Sequence, residues 1–149
     1  EVLKGEFAAD GVSIKSILNS MYPNTFYRVS VKALIKNEQD QVLVIKENQD
    51  TWSLPGGGLD HGEDPGAGIV RELQEELGIK APKIKDIATV KTFYFEQKSA
   101  WLLWAVYEVE VSSQEFVYGD GVTDARYVDI SELKQSQDIF EKMVYSVCF

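Results

Sequence analysis

The sequence predicts an α/β (α+β) fold, and three observations carry that reading. Stretches of alternating apolar and β-branched residues flank one central helix on both sides. That helix has a start and a stop written into its neighbours, and a second amphipathic helix closes the chain.

At the N-terminus Val12, Ile14, Ile17, Leu18 and Met21 recur at roughly helical spacing, and Pro23-Asn24 follows as a stop, so a short helix is expected ahead of the main sheet. Phe26 to Ile35 is rich in β-branched and aromatic residues and predicts a strand. The polar turn Asn37 to Asp40 leads into Gln41 to Lys46, expected as its antiparallel partner. Thr51-Trp52-Ser53-Leu54 then runs into Pro55-Gly56-Gly57-Gly58, where the glycines predict a sharp turn. The central helix is expected from Pro65 to Leu77, with Asp64 as N-cap, Pro65 in the first position and Gly78 just past the end. Ile69, Val70, Leu73 and Leu77 are its expected buried stripe, which leaves Arg71, Glu72, Glu75 and Glu76 on other faces. Gly66 and Gly68 each cost about 1 kcal/mol relative to alanine, so the first turns are expected to fray. Ile84 to Phe95 and Ala100 to Val111 predict a long antiparallel pair joined near Gln97 to Ser99. A loop at Gly119 to Asp124 leads to a short strand at Arg126 to Val128. Ile139, Phe140, Met143, Val144 and Val147 mark the last helix.

Length and charge narrow the function. A chain of 149 residues is read as one domain. A net charge of −9 repels a nucleic-acid backbone, so nucleic acid is not the expected partner; a small phosphorylated metabolite can still bind where divalent cations stand between carboxylates and phosphates. The apolar stretch Trp101 to Tyr107 is too short to span a bilayer, and Glu1 to Asp10 lacks the basic start and apolar block of a secretory signal, so a cytoplasmic location is expected. With one cysteine, Cys148, and one histidine, His61, a metal would have to be held by oxygen.

Glu72, Glu75 and Glu76 stand at i, i+3 and i+4 of the central helix, which gathers three negative charges on one face. Each like-charge neighbour costs roughly 0.2–0.5 kcal/mol on an exposed helix, and acids near its C-terminal end oppose the macrodipole. A hard cation, Mg²⁺ or Mn²⁺, reverses the sign of that cost. Acidic runs on helices are usually only solvated faces, but here the surrounding pattern decides. From Gly57 the chain reads GGLDHGEDPGAGIVRELQEELGI, with Glu63, Arg71-Glu72, Leu73, Glu75, Glu76, Gly78 and Ile79 at fixed offsets.

This stretch resembles a complete Nudix box. The resemblance implies a Nudix-type α/β/α sandwich around a mixed, largely antiparallel sheet, with the loop–helix–loop as catalytic element and residues 1–24 as an N-terminal addition. It implies hydrolysis of a diphosphate linkage in a nucleoside diphosphate joined to another moiety: a nucleoside triphosphate, nucleotide sugar or dinucleoside polyphosphate. By position, Glu75 and Glu76 resemble the family's metal ligands and Glu72 a further ligand or the general base. Arg71 would orient a glutamate, and Glu63 would steady loop and helix or bind the metal through water. Gly57 would lie close to the metal, which excludes a side chain there. Many relatives add an acid from the later loop, where Asp120 and Asp124 stand, with Glu115 and Glu96 behind them; Asp120 is the choice made here.

His61 reads as an exposed loop residue, Lys46 as a surface lysine, and Trp52, Phe93, Tyr94, Phe95, Trp101 and Trp104 as sheet aromatics, one of which could line the pocket. The glycine triplet has neither GxGxxG spacing nor a following GK[ST]. No proline stands about sixteen residues past the box, which weakens ADP-ribose as substrate. Tyr94 is similar in place to a tyrosine of dinucleoside polyphosphate hydrolases. Two other classes stay in view: a nucleotide-binding sensor with little turnover, and an acidic interaction scaffold. The long strands and the N-terminal addition could serve a homodimer.

Overall fold

The computed structural model describes residues 26–48 and 50–149. The helix expected over Val12 to Met21 lies outside the described residues. In chain order the elements are β1 (Tyr27–Leu34), β2 (Val42–Lys46), β3 (Trp52–Ser53), β4 (Gly56–Gly58), α1 (Pro65–Leu77), β5 (Lys83–Phe95), β6 (Ala100–Glu110), β7 (Asp124–Val128) and α2 (Ile139–Val147). Short 3-10 turns sit at Glu96–Lys98 and Ile130–Leu133.

The strands form two sheets. One has the order β4-β1-β6-β5, the other β3-β2-β7. β1 runs parallel to β6 and antiparallel to β4, while the remaining pairings are antiparallel. The expected β1–β2 ladder is therefore corrected: the two strands meet only beside their turn, at the Lys36–Val42 bridge and the Leu43 N–H to Ile35 carbonyl bond of 2.9 Å. Both edges of β1 are already taken by β4 and β6, so β2 has no free edge to join and turns to β3 and β7 instead.

Each strand then divides its side chains between two cores, as the period of two requires. Val31, Ala33, Ile35, Leu43 and Ile45 pack with Ile69, Leu73 and Leu77 of α1. Leu34, Val42, Val44, Trp104 and Val106 pack with Met143 and Val144 of α2. The result is α1, then the sheets, then α2: an α/β/α sandwich.

Helix α1 begins and ends where its caps place it. Asp64 accepts a 3.0 Å hydrogen bond from the Ala67 N–H, and Gly78 at φ 65 donates to the Gln74 carbonyl. Its buried face differs from the expectation. Val70 is 40% exposed, whereas Glu72 and Glu76 are 6% and 2% exposed. The helix packs against two things at once: Ile69, Leu73 and Leu77 meet the sheets, while Gly68, Glu72 and Glu76, four residues apart, sit beside the glycine strand and its flanking loop. Gly68 is accordingly buried rather than frayed; an added Cβ would come within 2.8 Å of Glu63 Oε1 and 3.0 Å of Leu59 Cδ1.

The triplet expected to turn sharply is itself a strand, pairing Gly56, Gly57 and Gly58 with Lys32, Val31 and Ser30. Gly56 has φ 122, and a Cβ there would run into the Val31 carbonyl and lie 2.9 Å from Lys32 Cα. Because those atoms are backbone and cannot step aside, Gly56→Ala should destabilise the protein by about 2 kcal/mol. A thermal denaturation midpoint within error of wild type would contradict this.

Candidate functional site

The site grows from three pieces of chain that local structure brings together. Helix α1 supplies Glu72 and Glu75, strand β4 supplies a wall without side chains, and the loop before β7 supplies Asp120. The loop is tied to the end of the helix by hydrogen bonds from the Val117 N–H to the Leu77 carbonyl (2.9 Å) and from the Gly119 N–H to the Glu76 carbonyl (3.0 Å). Asp120 itself sits at φ 48, in the left-handed region that aspartate tolerates better than most residues.

Carboxylate oxygens of Glu72, Glu75 and Asp120 lie within 4.8 Å of one another. Such a set is unfavourable by itself, since it crowds like charges with one member buried; a hard divalent cation is the partner whose chemistry suits it. The wall beside it fits the same reading. A Cβ on Gly57 would come within 2.8 Å of both Glu72 carboxylate oxygens, so only glycine leaves the carboxylate its place. Since the clash falls on the far end of a side chain, Gly57→Ala should fold with little loss of stability while displacing Glu72. We expect a fall of roughly 10- to 100-fold in turnover. Unchanged turnover in the folded variant would show that this seat does not matter.

Arg71 holds the acids in register. Its Nε donates to both Glu63 oxygens at 3.1 Å, Nη1 to Glu72 at 2.8 Å and Glu75 at 3.3 Å, and Nη2 to the Gly58 carbonyl at 3.2 Å. Hydrogen bonding to Glu63, reinforced by Glu72, holds the guanidinium pKa above its ordinary value despite partial burial. Arg71 thus bonds Glu72 and Glu75 on the helix, and Glu63 and the Gly58 carbonyl tie it to the loop and to β4.

Glu76 stands apart. Glu76 shares with Glu72 the side of the helix that faces the glycine strand, but its carboxylate turns further inward and accepts from the Gly56 N–H at 3.0 Å. It is not in the Glu72–Glu75–Asp120 oxygen group. Burial pushes its carboxyl up to about 9, opposed by the charge of Lys32 and by the Gly56 hydrogen bond, with Glu47 and Glu72 adding to the rise. Lys32, on β1, is its electrostatic partner. Its Nζ donates to the Gly56 carbonyl at 2.8 Å and the Leu54 carbonyl at 3.2 Å, where the chain crosses from one sheet to the other. Nζ also lies 5.2 Å from the centre of the Trp104 ring. Burial lowers the Lys32 pKa, and Glu76, Glu47 and Glu72 oppose that.

Sequence reasoning passed over Lys32, although a lysine inside the apolar run Val31-Lys32-Ala33-Leu34-Ile35 was a signal that could have found it. Of the other candidates, Lys46 pairs with Asp50 at 2.7 Å and lies over Trp52, and Asp124 accepts from Tyr118 and the Ala125 N–H. Neither Glu96 nor Glu115 belongs to the oxygen group, and His61 is exposed.

Comparison with known proteins bears on the same residues. A family model described as the NUDIX domain matches residues 26–146. The chain is 43% identical over 63 residues to an RNA pyrophosphohydrolase of Ruthia magnifica subsp. Calyptogena magnifica, an alignment covering 42% of this chain and 35% of that protein. It is 25% identical over 143 residues to Nudix hydrolase 5 of Arabidopsis thaliana, covering 84% of this chain and 46% of that protein. The chain thus spans less than half the length of these curated relatives. Among solved structures, a MutT protein from Methanosarcina mazei Go1 superposes with a TM-score of 0.69 at 22% identity, covering 83% of this chain and 93% of that one, a likeness of fold.

Proposed function

Since the chain belongs to the Nudix family by its match over residues 26–146, we propose that it is a divalent-metal-dependent pyrophosphohydrolase. The observation that carries this is the convergence of Glu72, Glu75 and Asp120 oxygens within 4.8 Å beside the side-chain-free wall at Gly57.

In this reading Glu72, Glu75 and Asp120 hold the cation, Mg²⁺ or Mn²⁺. When bound, the ion would neutralise charge on the diphosphate and lower the pKa of the attacking water. Arg71 keeps the Glu72 and Glu75 carboxylates aimed, and Glu63 anchors Arg71 to the loop. Glu72 would serve either as a ligand or as the base that takes the proton from water, a reading supported by its membership of the oxygen set and its charge-assisted hydrogen bond to Arg71. Glu76 and Lys32 hold β4 in place from its two sides, through the Gly56 N–H and carbonyl. Hydrolysis then needs no covalent intermediate.

The substrate is a small molecule or chain end bearing linked phosphates. Relatives named as RNA pyrophosphohydrolases bring an RNA end bearing linked phosphates onto the same footing as nucleoside triphosphates, nucleotide sugars and dinucleoside polyphosphates. A chain of net charge −9 suits an end-on substrate better than a long backbone footprint.

The test is phosphate or pyrophosphate release from such a panel. Turnover should vanish with a chelator and return with Mg²⁺ or Mn²⁺. Turnover indifferent to the chelator would overturn the metal-dependent assignment, and metal-dependent nucleotide binding without turnover would move it to a sensor domain.

A further inference from the structure

Three cations surround the glycine strand, and the fold puts them to different uses. Lys32 gives its protons to the Leu54 and Gly56 carbonyls. Arg71 gives its own to Glu63, Glu72, Glu75 and the Gly58 carbonyl. The Arg28 side chain, exposed on β1, makes no hydrogen bond or ion pair with another described residue, although its backbone is in the ladder with β6, and its guanidinium is closely seated. Its guanidinium lies against the α-carbon of Gly58, where an added Cβ would come within 2.5 Å of Cζ and 3.0 Å of Nε and run into Nη2. Gly58 is not among the glycines with positive φ, so its backbone does not require glycine. A side chain there would have to displace the Arg28 guanidinium.

Successive residues of a strand point to opposite faces. At Gly57 the missing side chain makes room for the Glu72 carboxylate, and at Gly58 for the Arg28 guanidinium. β4 is the outermost strand of its sheet, so the acidic seat and this cation lie on the two faces of one sheet edge. A substrate with linked phosphates, approaching a chain of net charge −9, needs a counter-charge for the phosphate that does not face the carboxylate group. A guanidinium offers a planar fork that binds phosphate through two parallel hydrogen bonds.

We propose that Arg28 is a substrate-binding residue that takes the phosphate adjoining the one at the Glu72–Glu75–Asp120 group, and that Gly58 lacks a side chain in order to admit its guanidinium. This rests on the pyrophosphohydrolase reading.

The test titrates wild type, Arg28→Ala, Gly58→Ala and the double variant with imidodiphosphate, a diphosphate analogue that resists hydrolysis, in the presence of Mg²⁺. Arg28→Ala and Gly58→Ala should each weaken binding about tenfold or more, the loss expected for a charged hydrogen-bonding partner. The double variant should bind no more weakly than Arg28→Ala, because alanine at 58 acts only by displacing the guanidinium. Thermal midpoints should stay within about 2 °C of wild type. Equal binding by wild type and Arg28→Ala would overturn the proposal, as would additive losses in the double variant. Metal-dependent turnover with an unaltered KM in Arg28→Ala would leave the hydrolase standing and overturn Arg28 alone. Failure of wild type to bind imidodiphosphate or to turn over any substrate of the panel would overturn both.

Discussion

Replacing Glu72 by glutamine should lower turnover by roughly 10²- to 10⁴-fold, the range for removing a general base, while leaving the protein folded. Glu72 combines three placements that no other side chain of the site shares. Its carboxylate belongs to the oxygen group with Glu75 and Asp120, rests on the wall at Gly57, and accepts from Arg71 at 2.8 Å. Glutamine keeps the shape and one acceptor oxygen, so Arg71 need not move. What disappears is a buried negative charge beside two others, and its loss should leave the thermal midpoint of the metal-free protein level or higher. In the kinetics, kcat should fall together with kcat/KM, the pattern of an interaction made in the transition state. Turnover within threefold of wild type would remove Glu72 from the mechanism and turn attention to Glu75.

Lys32→Met should destabilise the protein by about 3 kcal/mol, a lowering of the thermal midpoint by about 10 °C. Methionine fills a similar volume and preserves contact with Trp104, so the loss is electrostatic rather than a cavity. The Leu54 and Gly56 carbonyls would lose their donor, and the Glu76 carboxyl, pushed up to about 9 by burial even beside Lys32, would have to take up a proton to stay buried. The sign can be checked internally. Adding Glu76→Gln to Lys32→Met should recover part of the stability, since the second change removes the carboxyl that must be protonated on burial while the amide oxygen can still accept from the Gly56 N–H. A double variant less stable than Lys32→Met alone would mean that the two groups do not compensate each other. If the pair anchors β4 as described, Lys32→Met should also reduce turnover, although Lys32 is outside the oxygen group.

The bounds of α1 were legible because everything that sets them lies within a few residues: Asp64 caps the Ala67 N–H, and Gly78 closes on Gln74. Glu72, Glu75, Arg71 and Glu63 were legible for a related reason. Their spacing on one helix and its leading loop brings them within reach of one another whatever the helix packs against, and Arg71 does bond all three. Asp120 could be preferred to Asp124 from its place in the later loop, but spacing alone did not separate the two. The hydrogen bonds that tie residues 117 and 119 to the end of α1 make the choice, bringing Asp120 to Glu75 while Asp124 turns to Tyr118.

Other features had no local signature. Whether β2 pairs with β1 depends on β6, some seventy residues further along, occupying the edge that β2 would need. Glu76 reads as one more exposed acid until a glycine strand twenty residues earlier offers an N–H to its carboxylate. The amphipathic pattern therefore assigned burial to Val70, an apolar residue, and exposure to Glu72 and Glu76, although the fold reverses both. The ends of α1 and the acidic spacing of Glu72 and Glu75 could be read from the sequence, because these rest on interactions between near neighbours. The division into two sheets, the inward turn of Glu76 toward Lys32 and the seating of Arg28 on Gly58 could not be read there, because each depends on backbone edges and vacant volume that distant segments supply.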